Sequence, residues 1–317
     1  MEHYENPLRN LSLENRNAIK EPNITTYFNV TQTKYIVLPV TFIICCIGLP
    51  LNGIVIWLLG FQMKRNPFTV LILNLAIADL GVLVFMPILS IQYFRVLQIS
   101  IIPSFIIVCL SDILYINGLF LLTTISIDRC VSVFFPIWHH CSRPKYLSPA
   151  VCSLFWIISF LLGGIQNIME YIDLSIIRSL HFVVIAMLCF PLITISTVIL
   201  FIKIRMKPEQ TKRGRLLVMI LITLLCFLIL TLPLYVYIVT AHFLGLGYIW
   251  DIFQFPLYFY VSSCLNSSVN PVIYFLVGRK KRAKSRENIK VIFQRIFRED
   301  DAPKTRRKFT KRVSNSL

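Results

Sequence analysis

A membrane-embedded bundle of seven α-helices is the fold class this sequence predicts, and three observations predict it. Hydrophobic residues make up 56% of the chain and charged ones only 15%, far from the balance of an ordinary soluble domain. The apolar residues come in long runs, nearly all with the roughly 20 residues that cross a 30 Å hydrocarbon layer. Most of the 32 Lys and Arg lie between alternate runs and in the C-terminal tail. Only Arg95 and Arg178 fall in the short segments of the other side. That asymmetry predicts an extracellular N-terminus, a cytoplasmic C-terminus and a multi-pass protein of the plasma membrane. The formal charge of +17 would suggest nucleic acid only if the basic residues shared one folded face; spread between apolar spans, they imply no nucleic-acid partner.

Taken in order, residues 1–34 form a polar tail with no apolar core of the kind a cleavable signal peptide needs, so the first span serves as its own targeting signal. Three Asn-x-Ser/Thr sequons in that tail, at Asn10, Asn23 and Asn29, predict glycosylation of an external segment. The spans expected are Tyr35 to Phe61, Phe68 to Tyr93, Pro103 to Phe135, Pro149 to Ile165, Leu180 to Ile204, Arg215 to Leu244 and Phe253 to Val277. The fourth is the shortest. Residues 35–277 thus make one compact bundle with short connections and no internal repeat. Within 278–317, Ile289, Ile292, Phe293, Ile296 and Phe297 alternate with charges, which predicts an amphipathic eighth helix on the anionic cytoplasmic leaflet. A disordered end follows, with Ser285, Thr305, Thr310, Ser314 and Ser316 open to kinases.

The informative residues are those that break the apolar runs. Asn52, Asp79, Asn117, Asn266, Ser267 and Asn270 all sit inside spans, where each unpaired polar group costs several kcal/mol. A shared hydrated network is therefore expected. Asp79 stands out, because an acid deep in a membrane is by default functional, with a structural hydrogen-bond hub as the alternative. Asp128 and Arg129 close the third span as an adjacent acid and base. Pro233 and Pro271 remove backbone donors within the sixth and seventh spans and predict bending points.

In combination these features carry a resemblance. Leu75-Ala-Ile-Ala-Asp79-Leu, Asp128-Arg129-Cys130, Trp156, Pro191 and Asn270-Pro271-Val-Ile-Tyr274 resemble, in order and spacing, the rhodopsin-like G-protein-coupled receptors. Met63-Lys-Arg-Asn-Pro-Phe-Thr-Val, Pro136-Ile-Trp-His-His-Cys-Ser-Arg-Pro-Lys-Tyr146 and Asn270 to Gly278 are similar to the Mas-related receptors within that class. The resemblance covers the membrane region but not the N-terminal tail or the loop after the fourth span. It implies a non-enzymatic receptor that couples to heterotrimeric G proteins and meets arrestin and receptor kinases. Asp128, Arg129, Cys130, Arg213, Asn270, Pro271 and Tyr274 would form its switch, with Ile204 and Arg215 beside them in the groove.

The pattern also departs from that family. None of the nine cysteines falls in an outer loop, so the disulfide that most such receptors carry there is not expected, and the outer mouth should be open. Thr231 stands before Pro233 where tryptophan is frequent, and Ile199 replaces the tyrosine that usually partners Tyr274. Gly118 stands where a sodium-site serine is common, which argues against sodium at Asp79. Arg213 occupies an acidic position on the sixth span, leaving Asp128 alone to hold Arg129. A shallow inactive state with ligand-independent signalling follows as an expectation.

For the ligand, the sparse acids matter. Asp112 lies about one turn into the third span, roughly 26 Å from Arg129 at 1.5 Å per residue. Glu170, Asp173 and Asp251 lie near the mouth, and Tyr115, Tyr235, Tyr258 and Tyr260 are candidate lining residues. An acid beside aromatic rings suits an extracellular peptide or small cationic ligand. The alternative is that Asp112 pairs with a neighbouring helix. No cofactor or metal is expected, since the histidines are scattered and form no zinc-ligand spacing. Other functions of the same fold would be a non-signalling or constitutively active receptor, or a seven-helix transporter.

Overall fold

The computed structural model describes residues 24–94, 96, 99–144, 146–171, 175–206, 212–243, 256–278 and 291. Its long helices are α1 Ile24–Trp57, α2 Pro67–Tyr93, α3 Ile101–Phe134, α4 Leu147–Tyr171, α5 Ser175–Met206, α6 Lys212–Phe243 and α7 Pro256–Gly278. A short helix, Pro136–Cys141, sits between α3 and α4. Among the described residues there is no strand. The predicted eighth helix, Val291 apart, and the sequons at Asn10 and Asn23 lie outside the described residues; Asn29 lies within α1.

Six of the helices are long and apolar enough to cross a membrane. The seventh, α7, has 23 residues, enough to reach across, but its middle carries Ser262, Ser263, Asn266, Ser267, Ser268 and Asn270. Such a helix is stable in lipid only when its polar face turns inward. It does so: all but Asn266 are buried. Outward faces are apolar, as at Ile43, Leu154, Ile157, Ile195 and Ile229. Five hydroxyls inside the spans are satisfied within their own helices. Thr41, Ser111, Thr123, Thr197 and Thr223 each donate to the carbonyl four residues back, at 2.6 to 3.1 Å, so none needs water.

Several helix boundaries differ from the expected spans, among them the start of α5, at Ser175 rather than Leu180. The first helix starts at Ile24, not Tyr35, so it extends into the polar tail, and it ends in a π-turn, Leu58–Gln62. The fourth runs 25 residues, from Leu147 to Tyr171, rather than stopping at Ile165. Gln166 and Asn167 look like loop residues in the sequence, but both are buried against α3, and burial extends the helix past them. The start of α2 obeys a local rule. Asn66 Oδ1 accepts from the Thr69 amide at 2.7 Å, Thr69 Oγ1 accepts from the Asn66 amide at 2.8 Å, and Pro67 takes the first helical position, a capping box that settles two of the end donors.

The main core lies between α2, α3, α5 and α6, around Leu71, Leu75, Ile116, Leu119, Leu122, Met219, Leu224 and Phe227. A smaller one joins α1, α2 and α7 through Cys45, Leu83, Met86 and Cys264. Helix α3 packs on α2, α4 and α5, and α7 closes the bundle against α1, α2 and α6. Glycine permits the closest approach of α4 to α3: a Cβ at Gly163 would stand 2.6 Å from Ile113 Cγ1 and 3.3 Å from its backbone nitrogen. All nine cysteines are free thiols, so no disulfide staples the helices.

Candidate functional site

Three polar clusters interrupt the apolar interior, one at each end and one in the middle. At the first end, Arg129 is buried at 2% side-chain exposure and donates from Nη2 to Asp128 Oδ2 at 2.8 Å. Its guanidinium carbon also lies 3.9 Å from the centre of the Phe68 ring, so α2 holds the same cation through its π-face. The sequence had left Asp128 as the sole hold on Arg129. A stacked ring on another helix cannot be read from the chain.

The Asp128 carboxylate is itself shared. Arg143 Nη1 lies 2.6 Å from Oδ1, and His139 Nε2 lies 3.4 Å from the same oxygen. Arg143 Nη2 donates to Ser148 Oγ at 2.7 Å, at the start of α4. Charged groups this shielded are tolerable only when paired on each side. Arg143 and His139 were legible in the sequence only as loop charge and scattered histidine; the signal was the helix-starting Pro136, which turns the following residues back beneath α3. Cys130 Sγ contacts the Ser196 carbonyl at 3.5 Å, linking α3 to α5. Ile204 is half-buried beside this end. Arg213 and Arg215 lie in α6, with their side chains outside the described residues.

In the middle, Asn270 Nδ2 donates to Asp79 Oδ2 at 2.8 Å, and Ser267 also hydrogen-bonds Asp79. Pro271 follows within the same unbroken helix. Tyr274, one turn on, is buried at 3% exposure and within electrostatic reach of Asp79. Asn52 Nδ2 donates to the carbonyls of Gly48 at 3.1 Å and Ser267 at 3.0 Å. The expected network therefore unites Asn52, Asp79, Ser267 and Asn270. Asn117, fully buried, makes no direct side-chain hydrogen bond among the described residues, and Asn266 is half-buried. Trp156 Nε1 donates to Asn74 Oδ1 at 3.1 Å and pins α4 to α2.

At the opposite end from Arg129, half-buried Asp112 accepts from Gln166 Nε2 at 3.3 Å and from Asn167 Nδ2 at 3.0 Å. The carboxylate turns toward α4. Tyr115, one turn along α3, turns elsewhere: its ring meets Phe259 of α7 edge-on at 5.9 Å, and its hydroxyl faces that of Tyr235 on α6. Tyr235 also meets Phe190 edge-on at 4.6 Å. Tyr260 packs on Tyr93 at 5.8 Å, and Tyr258 is 36% exposed. The single acid-and-tyrosine cavity that the sequence suggested is thus two neighbouring patches: residues 112 and 115 share one face of α3, but Gln166 and Asn167 draw the carboxylate toward α4 while the Tyr115 ring packs on Phe259 of α7. Gln166 and Asn167 were missed because the fourth span had been ended one residue short of them. Glu170 lies in α4 with its side chain outside the described residues; Asp173 and Asp251 are outside them altogether.

No group of three or more potential metal ligands occurs among the described residues. The chain matches the family described as 7 transmembrane receptor (rhodopsin family) over residues 51–274. It is 38% identical over 275 residues to mouse (Mus musculus) Proto-oncogene Mas, covering 81% of this chain and 82% of that protein. It is 33% identical over 295 residues to Mas-related G-protein coupled receptor member H of Rattus norvegicus, covering 88% of each. With member D of Macaca fascicularis the identity is 36% over 266 residues, covering 81% and 83%.

Proposed function

Because this chain belongs to the rhodopsin family of seven-transmembrane receptors, among the Mas-related members, we propose that it passes binding of an extracellular peptide or small cationic ligand to a heterotrimeric G protein through its Asp128–Arg129 end. Its family consists of G-protein-coupled receptors, not enzymes. The observation that carries the mechanism is the shielded ion pair: a guanidinium at 2% exposure, placed at a helix end, is a charge held back from a partner.

The orientation follows from charge. Basic residues flank the Arg129 end and fill the tail after Gly278, which places that end in the cytosol, the N-terminal sequons outside, and the tail within reach of receptor kinases and arrestin. A ligand at the Asp112 end favours a bundle in which α6 swings out at Pro233. The opened groove is lined by Arg129, Cys130, Ile204, Arg215 and Tyr274, and a G-protein helix docks there. Binding at the two ends is coupled reciprocally. The Asp79–Asn270 bond and Pro271 lie between them and transmit the shift along α7.

The separation of acid from rings favours an extended ligand. A basic group reaches Asp112 on the α4 side while an apolar or aromatic group lies against Tyr115, Phe259 and Tyr258. Glu170, Asp173 and Asp251 add negative charge around the mouth in sequence. The test is a panel of basic peptides on surface-expressed receptor, read by calcium and cyclic-nucleotide responses. An active peptide should lose about tenfold or more in potency on Asp112→Asn, the effect of removing a charge-assisted bond. Unchanged potency overturns the anchoring role, and silence across the panel and all readouts favours a non-signalling receptor.

A second expectation concerns basal output. Arg213 on α6 gives Arg129 no acid across the groove, and Thr231 replaces the usual aromatic before Pro233. Ligand-independent signalling should exceed that of mock-transfected cells at matched surface expression. Equality of the two sinks the idea.

A further inference from the structure

One carboxylate holds two guanidiniums. Arg129 takes Asp128 Oδ2 at 2.8 Å, and Arg143 takes Oδ1 at 2.6 Å. The three side chains are 2%, 8% and 9% exposed for Arg129, Asp128 and Arg143. Arg143 is steadied from behind, by Ser148 at 2.7 Å and by the His139 ring, whose Nε2 lies 2.8 Å from Nη1. It therefore stays with Asp128 whether or not Arg129 does.

We propose that Arg143 is the positioning residue of the switch, supplying Asp128 with a second cation so that Arg129 can leave for a G protein without stranding a shielded carboxylate. Removing one member of a shielded ion pair is severe chiefly because the other is left uncompensated. Arg143 removes that penalty on release. It also weakens the hold beforehand, since one carboxylate divides its attraction between two cations. Both effects favour the released state. The sequence carries the same logic in compressed form: α6 has Arg213 rather than an acid at that position, so the balance of hold and release is set between α3 and the segment that follows it.

The proposal rests on the receptor reading above only in taking release of Arg129 to accompany opening of α6. The test is chosen to separate the two. Spin labels carried on non-natural residues at Lys64 and Lys212 report the distance between the loop after α1 and the start of α6 in the purified full chain, with no G protein present. Wild type should show an inner and an outer population. Arg143→Gln, which keeps a donor for Ser148 but removes the charge, should cut the outer population about threefold or more. Arg143→Lys should restore it. Asp128→Asn should raise it, and in that background Arg143→Gln should change nothing. An unchanged or larger outer population in Arg143→Gln overturns the proposal. So does an effect that persists in Asp128→Asn, which would mark Arg143 as a mere loop anchor, and so does a wild type with no outer population. Recruitment of a panel of G proteins, measured in parallel on wild type, judges the receptor reading independently.

Discussion

Asn270 on α7 donates a 2.8 Å hydrogen bond to Asp79 on α2, across 191 residues of chain. Both side chains are buried, at 3% and 5% exposure, and Ser267 reaches the same carboxylate. The bond ties the serine- and asparagine-rich middle of α7 to α2.

Removing that donor should be felt in the fold. Asn270→Ala leaves Asp79 with one fewer partner in a setting without bulk water, a loss of about 1–3 kcal/mol. The measurement is the melting temperature of detergent-purified protein, which should fall. Adding Asp79→Asn to Asn270→Ala should recover part of the fall, because a neutral amide is easier to bury than a carboxylate. A melting temperature equal to wild type in the single variant would mean that the bond carries no net weight.

Phe68 should act on the switch rather than on folding alone. Its ring covers Arg129 at 3.9 Å, a contact worth roughly 0.5–2 kcal/mol. Phe68→Leu keeps most of the volume of a residue only 1% exposed and removes the π-face. Ligand-independent output at matched surface expression should then rise about two- to thirtyfold. Phe68→Tyr, which keeps the ring, should stay near wild type. Equal output from the Leu and Tyr variants would assign the hold to Asp128 alone.

These predictions draw on different depths of information. The spans were legible because hydropathy is a property of runs, and Asp79, Asp128, Arg129 and Asn270 were legible because charge or amide inside such a run is rare. The extent of α4 was not. Gln166 and Asn167 are polar, and only their bonds to Asp112 across the helix pair explain why they remain helical and buried. Nor was the partition of the polar residues: Asn117 and Asn266 have the same composition signal as Asn52, yet helix rotation brings only Asn52 to Ser267. Arg143 and Phe68 converge on one ion pair from separate elements, and convergence of that sort is set by packing, not by any local pattern.

Gly48 tests the packing itself. A Cβ there would collide with Ser268 Oγ and stand 3.0 Å from Ser268 Cβ and 2.8 Å from Leu83 Cδ1. The contact sits among the bonds that join α1 to α7, since Asn52 donates to the Gly48 and Ser267 carbonyls and Ser268 donates to Ile44 at 3.3 Å. Gly48→Ala must therefore displace the Ser268 hydroxyl and the Leu83 methyl, disturbing those bonds at about 1–3 kcal/mol for overpacking. Gly53, five residues on, has nothing within 4 Å of its added methyl, so Gly53→Ala should melt at or above wild type. Ser268→Ala combined with Gly48→Ala should restore only part of the loss, because the Ser268 Cβ remains. If both glycine variants melt alike, the α1–α7 contact yields without penalty, and its hydrogen bonds cannot be what fixes α7 against Asp79.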